Sequence, residues 1–415
     1  MFYNLLLLIY FFISIPKTLL DLVLYKKNKP DLLKRFGLKK YSFDLKSKNP
    51  VIWIHAVSVG ETKAAASLVL KLKREYLNSY ILISSVTQAG HEEAKKTLSS
   101  ADDFIFFPFD FSFTMKKVFS NIKPNLIIIM ETDIWYNFIK EGKKAGAKIV
   151  LVSAKISEKS YRRFSKILFF SKKLFSYFDL ILTQNDLYKS RFENFIAKSK
   201  IQTFGNLKLV NFPEVYSQNF LENLKNKINK NNEKLITIAS THHPEEEMII
   251  EKLKDLPNIK ILLAPRHIER SRFVLNQLLK ITSCCLLSND AAIDNSKVII
   301  IDKMGLLNSF YQISDLAVVG GSFVNRVGGH NILEPVFVNK VVIFGPFMHS
   351  QTELEKIVLD NKCGFKTDID NLKDKVHELL TDKSLQFEMI GNCRIIKDSF
   401  TDILNNTFDV FKNFI

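Results

Sequence analysis

The sequence predicts an α/β protein built from two doubly wound, Rossmann-like domains in tandem, behind an apolar N-terminal segment. Three observations predict it. Short apolar runs rich in β-branched residues alternate with helical patterns, which implies a parallel sheet with helical crossovers. The alternation runs through once, stops at a polar break near residues 211–233, and then resumes. Finally, 415 residues are too many for one ordinary core and suit two α/β domains of about 150–200 residues each.

In chain order, residues 1–30 stand apart. Residues 2–15 are almost wholly apolar, a second apolar stretch covers 19–24, and Lys26, Lys27 and Lys29 follow. A spanning helix needs about 20 predominantly apolar residues, a length reached here only if Lys17 snorkels or Asp21 lies near the interface. The segment has no basic stretch before the apolar run and no small-residue cleavage site, so it reads as an uncleaved anchor rather than a signal peptide. A buried N-terminal helix is the other reading. The lysines on its C-terminal side would keep the following domains in the cytoplasm.

The first domain is expected over 31–213. Its strands are expected at 51–57 (VIWIHAV), 80–86, 125–130, 148–152 and 179–182, with helices at 63–76 and 134–144 between them. Pro213 and an Asn- and Lys-rich stretch then mark the entry to a second domain, 214–415. Its strands are expected at 235–239, 259–263, 297–301, 315–319 and 340–344, with a helical tail from about Leu372. Doubly wound sheets bind ligands at the carboxyl ends of their strands, so candidate chemistry belongs there.

Composition narrows the partners. Fifty-nine Lys plus Arg against 43 Asp plus Glu give a net charge of +16, which suits a polyanionic surface: nucleic acid, an anionic membrane or a phosphorylated substrate. Residues 155–177 interleave Lys and Arg with Phe, Tyr, Ile and Leu, as a helix lying on an anionic bilayer would, or as a solvated face over a core stripe would. No recognised nucleic-acid module accompanies the charge. Cys284, Cys285, Cys363 and Cys393 form no CxxC and lack His partners at metal-ligand spacing, so they read as packing residues in a reducing compartment.

Strand ends carry the candidate site. Glu61 follows the first strand in Ser58-Val59-Gly60-Glu61-Thr62, where a carboxylate either takes a proton from an attacking hydroxyl or complements a helix dipole. Glu131 follows the strand at 125–130 in the same way, with Thr132 or Asp133 available to cap the next helix. Lys208 lies in Gly205-Asn206-Leu207-Lys208 at the end of the last strand of the first domain, where a cation could counter a carboxylate or phosphate. In the second domain, Pro265-Arg266-His267 ends a strand and offers a bidentate phosphate contact. Residues 302–306 (DKMGL) turn from strand to helix. Residues 320–335 (GGSFVNRVGGHNILEP) hold two glycine pairs whose amides could approach an anion, with Glu334 expected one turn into the following helix, where it could accept ribose hydroxyls. The pattern is neither GxGxxG nor a Walker loop, which argues against a Rossmann dehydrogenase or a kinase.

Taken together, these motifs resemble the 3-deoxy-D-manno-octulosonic acid (Kdo) transferase family. The resemblance is carried by HAVSVGET at 55–62, ETDIWYN at 131–137, LVSAKISEKSYRRF at 151–164, TFGNLKL at 203–209, IASTHHPEEE at 238–247, LLAPRHIER at 262–270, VVGGSFVNRVGGHNILEP at 318–335, IFGPFMHS at 343–350 and KRFG at 34–37. It implies the two-domain B-type glycosyltransferase fold, CMP-Kdo as donor, lipid IVA as acceptor, and no metal or cofactor. It also implies Glu61 as the catalytic base, with Glu131 and Lys208 stabilising the transition state. CMP contacts would fall on Pro265 and Arg266, on Gly305, Leu306 and Leu307, and on Asn331, Ile332, Leu333 and Glu334. Leu306 replaces an acidic residue usual in the family, so its contact would be through the backbone. Asp133 and Tyr136 also depart from the usual residues, and neither is expected to touch Glu61. A UDP-sugar-dependent transferase of the same fold, and a non-catalytic basic protein that binds membrane or RNA, are the competing readings.

Overall fold

The computed structural model describes residues 3, 4, 7–9, 13, 32–210 and 212–415. Most of the expected anchor, 1–30, therefore lies outside the described residues. No helix among the described residues is long and apolar enough to cross a membrane.

The chain forms two compact units, Met1–Asn211 with Phe400–Ile415, and Phe212–Ser399. The first holds a seven-stranded parallel sheet: β1 (Val51–His55), β2 (Tyr80–Ser85), β3 (Asp103–Phe106), β4 (Leu126–Met130), β5 (Lys148–Ala154), β6 (Leu180–Thr183) and β7 (Ile201–Thr203). The order across the sheet is β3-β2-β1-β4-β5-β6-β7. All five residues of both β1 and β4 are buried, as expected for central strands covered by helices on both faces. One face is filled by Trp53, Phe119, Phe138, Phe175 and Phe178 among aliphatic residues.

The second unit repeats the plan with β8 (Lys234–Thr241), β9 (Ile259–Pro265), β10 (Cys284–Leu286), β11 (Val298–Ile300), β12 (Leu316–Val319), β13 (Val342–Phe344) and β14 (Gly364–Lys366). Its order is β10-β11-β9-β8-β12-β13-β14, again parallel throughout. All four cysteines are buried and free of disulfides.

Each sheet has one switch point. In the first, the chain moves outward from β1 through β2 to β3, then returns to place β4 on the other side of β1. In the second, β8 has β9 on one side and β12 on the other. The crevices at the carboxyl ends of β1/β4 and β8/β12 are where such folds take ligands.

Two differences from the sequence reading stand out. The four strands whose ranges it did not mark, β3, β7, β10 and β14, are the four sheet edges. They are only three or four residues long and lack the continuous buried run of a central strand. The tail is helical, over Leu372–Thr381 and Lys383–Phe411, but Phe400–Ile415 belongs to the first unit rather than the second. There, Phe408 and Phe411 are buried, and Lys71 donates to the Asn405 side chain.

Candidate active site

Glu61 stands where its two readings meet. Beyond β1, Ser58 caps the helix Val59–Glu75 by accepting the Glu61 N–H at 3.3 Å. The Glu61 carboxylate reaches back and accepts the Val57 N–H at 2.8 Å and the Ser58 hydroxyl at 3.3 Å, much as in a capping box. It also lies at the switch point and is buried. Burial raises its proton affinity above the usual carboxylate range; the Val57 N–H opposes this, and the charges of Glu131 and Asp133 add to it.

Glu131 follows β4 in a left-handed backbone conformation, φ 57°. A non-glycine residue there is strained, and such strain persists only where the surroundings fix it. The side chain is 2% exposed and is held between two ammonium groups. Lys155 Nζ lies 2.5 Å from Oε2, and Lys208 pairs with Oε1. Lys208 sits on a short turn, Leu207–Leu209, whose first N–H donates to Ser153 Oγ at 2.9 Å at the end of β5. Its side chain runs over Gly60: a Cβ at that position would lie 3.3 Å from Cε and 3.4 Å from Nζ. The three first-unit residues singled out from sequence thus converge, with Lys208 spanning from the turn before Glu61 to the carboxylate of Glu131.

Sequence reasoning missed two partners of this group. Lys155 follows β5 directly but was read only as part of a basic, aromatic stretch. His55, the last residue of β1, is fully buried; its Nε2 lies 2.8 Å from Asp133 Oδ2 and its Nδ1 lies 2.8 Å from Ser84 Oγ. Trp135 Nε1 also donates to Asp133 Oδ2, at 2.7 Å. Asp133 is therefore clamped from two sides, and its charge reaches Glu61 without a hydrogen bond between them. In both cases the signal available was position at a strand end.

In the second unit Pro265 closes β9 and Arg266 follows it, exposed and without a carboxylate partner among the described residues. Gly305 is exposed; its carbonyl accepts the Tyr216 hydroxyl at 3.1 Å, and Leu306 and Leu307 begin the next helix. Asn331 Nδ2 donates to Glu334 Oε1 at 3.4 Å, while Asn331 Oδ1 accepts the Leu333 N–H at 3.1 Å. Ile332 and Leu333 are buried beneath them. The helix here is one short piece, Leu333–Phe337, so Glu334 is its second residue rather than a turn inside.

Three of the four amides of the glycine pairs are engaged within the protein. Gly320 N–H donates to Ala239 O at 2.8 Å and Gly329 N–H to Gly321 O at 2.7 Å. The Gly321 and Phe323 amides donate to the two oxygens of Glu245 at 2.7 and 2.8 Å. Glu245 is fully buried and also accepts the His242 N–H at 2.9 Å. The anion already bound by this loop is a protein carboxylate, and those amides are taken. The groups left at the β8/β12 crevice are Arg266, His267, His242 and His330. His242 and His330 lie with Nε2 atoms 2.8 Å apart and rings nearly parallel at 11°.

The basic, aromatic stretch forms two helices, Glu158–Lys166 and Leu168–Ser176. Leu174 and Phe175 join the core, whereas Ile167, Leu168 and Phe169 are exposed at the junction, Phe169 by 88%. The stretch thus covers the core with one side and leaves an apolar junction exposed.

Comparison with known proteins gives these crevices a context. Residues 31–211 match the family model described as 3-Deoxy-D-manno-octulosonic-acid transferase (kdotransferase). Over 420 residues, covering all of this chain and 96% of the relative, the sequence is 32% identical to a 3-deoxy-D-manno-octulosonic acid transferase of Chlamydophila psittaci. Among solved structures, a glycosyltransferase of Rickettsia africae shares the fold with a TM-score of 0.53 and 15% identity over 89% of this chain and 99% of that one. A UDP-N-acetylglucosamine 2-epimerase matches equally well, with a TM-score of 0.54 and 14% identity over 88% and 97%. The fold alone therefore does not select group transfer. Identity along the whole length does: the chain belongs to the 3-deoxy-D-manno-octulosonic acid transferase family, on the two-sheet fold of B-type glycosyltransferases.

Proposed function

We propose that the protein transfers Kdo from CMP-Kdo to lipid IVA in lipopolysaccharide inner-core synthesis, with inversion and with Glu61 as general base. The observation that carries the base assignment is the grouping of Glu61 with the Glu131–Lys208 pair at one switch point, Lys208 lying on Gly60. In the proposed step an acceptor hydroxyl attacks the anomeric carbon, and its proton passes to the Glu61 carboxylate. The bond from that carbon to the phosphate oxygen breaks, and its electron pair leaves with CMP. A single displacement inverts the centre. Burial makes Glu61 a stronger base than a solvated carboxylate, which suits proton removal near neutral pH. Lys155 and Lys208, paired with Glu131, hold positive charge in the crevice, the kind of fixed electrostatics that lowers a barrier without reorganisation. In the second unit Arg266 suits the departing phosphate.

The reading extends to location. Residues 1–30 would anchor the chain in the inner membrane with its body on the cytoplasmic side. The exposed Ile167, Leu168 and Phe169, flanked by Lys166, Lys172 and Lys173, suit contact with an anionic leaflet. Purified protein incubated with CMP-Kdo and lipid IVA should release CMP, and mass spectrometry should show lipid heavier by whole Kdo units. Absence of both, with UDP released from a UDP-sugar instead, would transfer the assignment to the UDP-sugar reading.

A further inference from the structure

We infer that His242 and His330 form a proton-accepting pair that, with Arg266, grips the phosphate of CMP and takes up a proton as it does so. The inference rests on the reading of the second unit as the CMP-binding one, and adds to it two residues and a linked proton.

The geometry comes first. His242 follows β8, His330 lies in the loop after β12, and Arg266 and His267 follow β9, so three neighbouring strands deliver them to one crevice. His330 is seated by Gly321, whose φ is 68°; a Cβ there would lie 2.5 Å from the His330 ring. Glu245 pins both sides, accepting the His242 and Gly321 amides. With the Gly320, Gly321, Phe323 and Gly329 amides engaged internally, an anion arriving here meets imidazoles and a guanidinium.

Proton counting follows from the 2.8 Å Nε2–Nε2 separation. One ring must donate its Nε2–H and the other accept, so in the neutral pair one Nδ1 carries a proton and the other a lone pair. Neither Nδ1 has a partner among the described residues. A single proton taken from solvent onto the bare Nδ1 makes both Nδ1 atoms donors and leaves the shared bond intact. In the empty site that proton is disfavoured. His330 is pushed down to about 4 by burial and by the positive fields of His242, Arg266 and His267. His242 is lowered chiefly by burial, with His267 and Arg270 opposing its charge and Glu245 and Glu246 favouring it. A phosphate dianion beside the pair reverses the balance, and the proton belongs to the pair rather than to either ring.

Titration calorimetry of CMP into the full-length protein, in buffers of different ionisation enthalpy between pH 6.5 and 8, reads the proton directly. That window lies above the second phosphate pKa of about 6, so CMP itself is mainly dianionic. We expect uptake approaching about one proton per CMP, with affinity rising by up to roughly tenfold per pH unit as pH falls. His242→Gln and His330→Gln should each bind CMP more weakly and without buffer-dependent heat. CMP binding to the wild-type protein with no proton uptake overturns the inference while leaving the donor assignment standing. No CMP binding at all overturns both. The wild-type measurement needs no variant to fold.

Discussion

The two switch points share a topology and differ in chemistry. At β1/β4 the crevice holds Glu61, Glu131 and Asp133, with Lys155 and Lys208 tied to Glu131. At β8/β12 it holds His242, His267, His330 and Arg266, and its carboxylate, Glu245, is buried in loop hydrogen bonds. One crevice is dominated by carboxylates with paired lysines, the other by imidazoles and a guanidinium. The same parallel-sheet edge yields both because the backbone fixes only where side chains emerge, while the residues at those few positions set sign and proton affinity.

Breaking the contrast at Glu61 should have the largest effect. Glu61→Gln keeps the shape of the helix start but removes the proposed base, and transfer should fall by about 10²–10⁴-fold, measured as Kdo-lipid formed per unit time. Far-ultraviolet circular dichroism should be unchanged. If Glu61→Gln retains wild-type rates, Glu61 is a capping residue and nothing more.

Arg266→Ala tests the anion-binding side. An exposed guanidinium forming a charge-assisted bond to phosphate contributes about 1.5–3 kcal/mol, so CMP affinity should drop by roughly 10–150-fold with thermal stability unchanged. A decline in stability without loss of CMP affinity would assign Arg266 to the scaffold.

Gly321→Ala should cost about 1–2 kcal/mol from the left-handed backbone alone, and more from the approach to His330. Denaturant unfolding followed by fluorescence would read this. An unchanged midpoint would show that the loop shifts without cost.

The smallest effect sharpens the contrast by charge alone. Because the Glu61 carboxyl is raised, activity should fall with decreasing pH at a pH above the ordinary carboxylate range, as the base becomes protonated. Asp133→Asn removes one of the charges that raise it, so this acid limb should move to lower pH, by less than about one unit. The pH profile of kcat/KM checks both. A limb that stays put in Asp133→Asn would show that burial alone sets the Glu61 carboxyl.

Much of this was legible in the chain, and the gaps have physical causes. The central strands announced themselves because both faces are buried, leaving unbroken apolar runs such as VIWIH and LIIIM. The edge strands did not, since segments such as Ile201–Thr203 and Gly364–Lys366 contain half-buried and exposed positions and so carry no unbroken apolar run. Glu61 and Glu131 could be noticed from their places at strand ends, whereas Lys208, on a turn beyond the last strand of its sheet, stood out through the family resemblance. Lys155 and His55 occupy equally telling places, yet a lysine in a basic stretch and a histidine in an apolar strand look ordinary until a partner is known.

By itself, then, the sequence determined the two parallel-sheet units, because burial periodicity is a local property, and, through the resemblance of its ordered motifs, the family and the first-unit residues that gather at β1/β4. Only the tertiary structure decided the partners. It closed Lys155 and Lys208 onto Glu131, set Asp133 between His55 and Trp135, and gave the glycine-loop amides to Glu245. Apart from the local Asp133–Trp135 contact, those pairings join residues from separate strands and loops, far apart along the chain, and a pairwise distance between them is written in no local pattern.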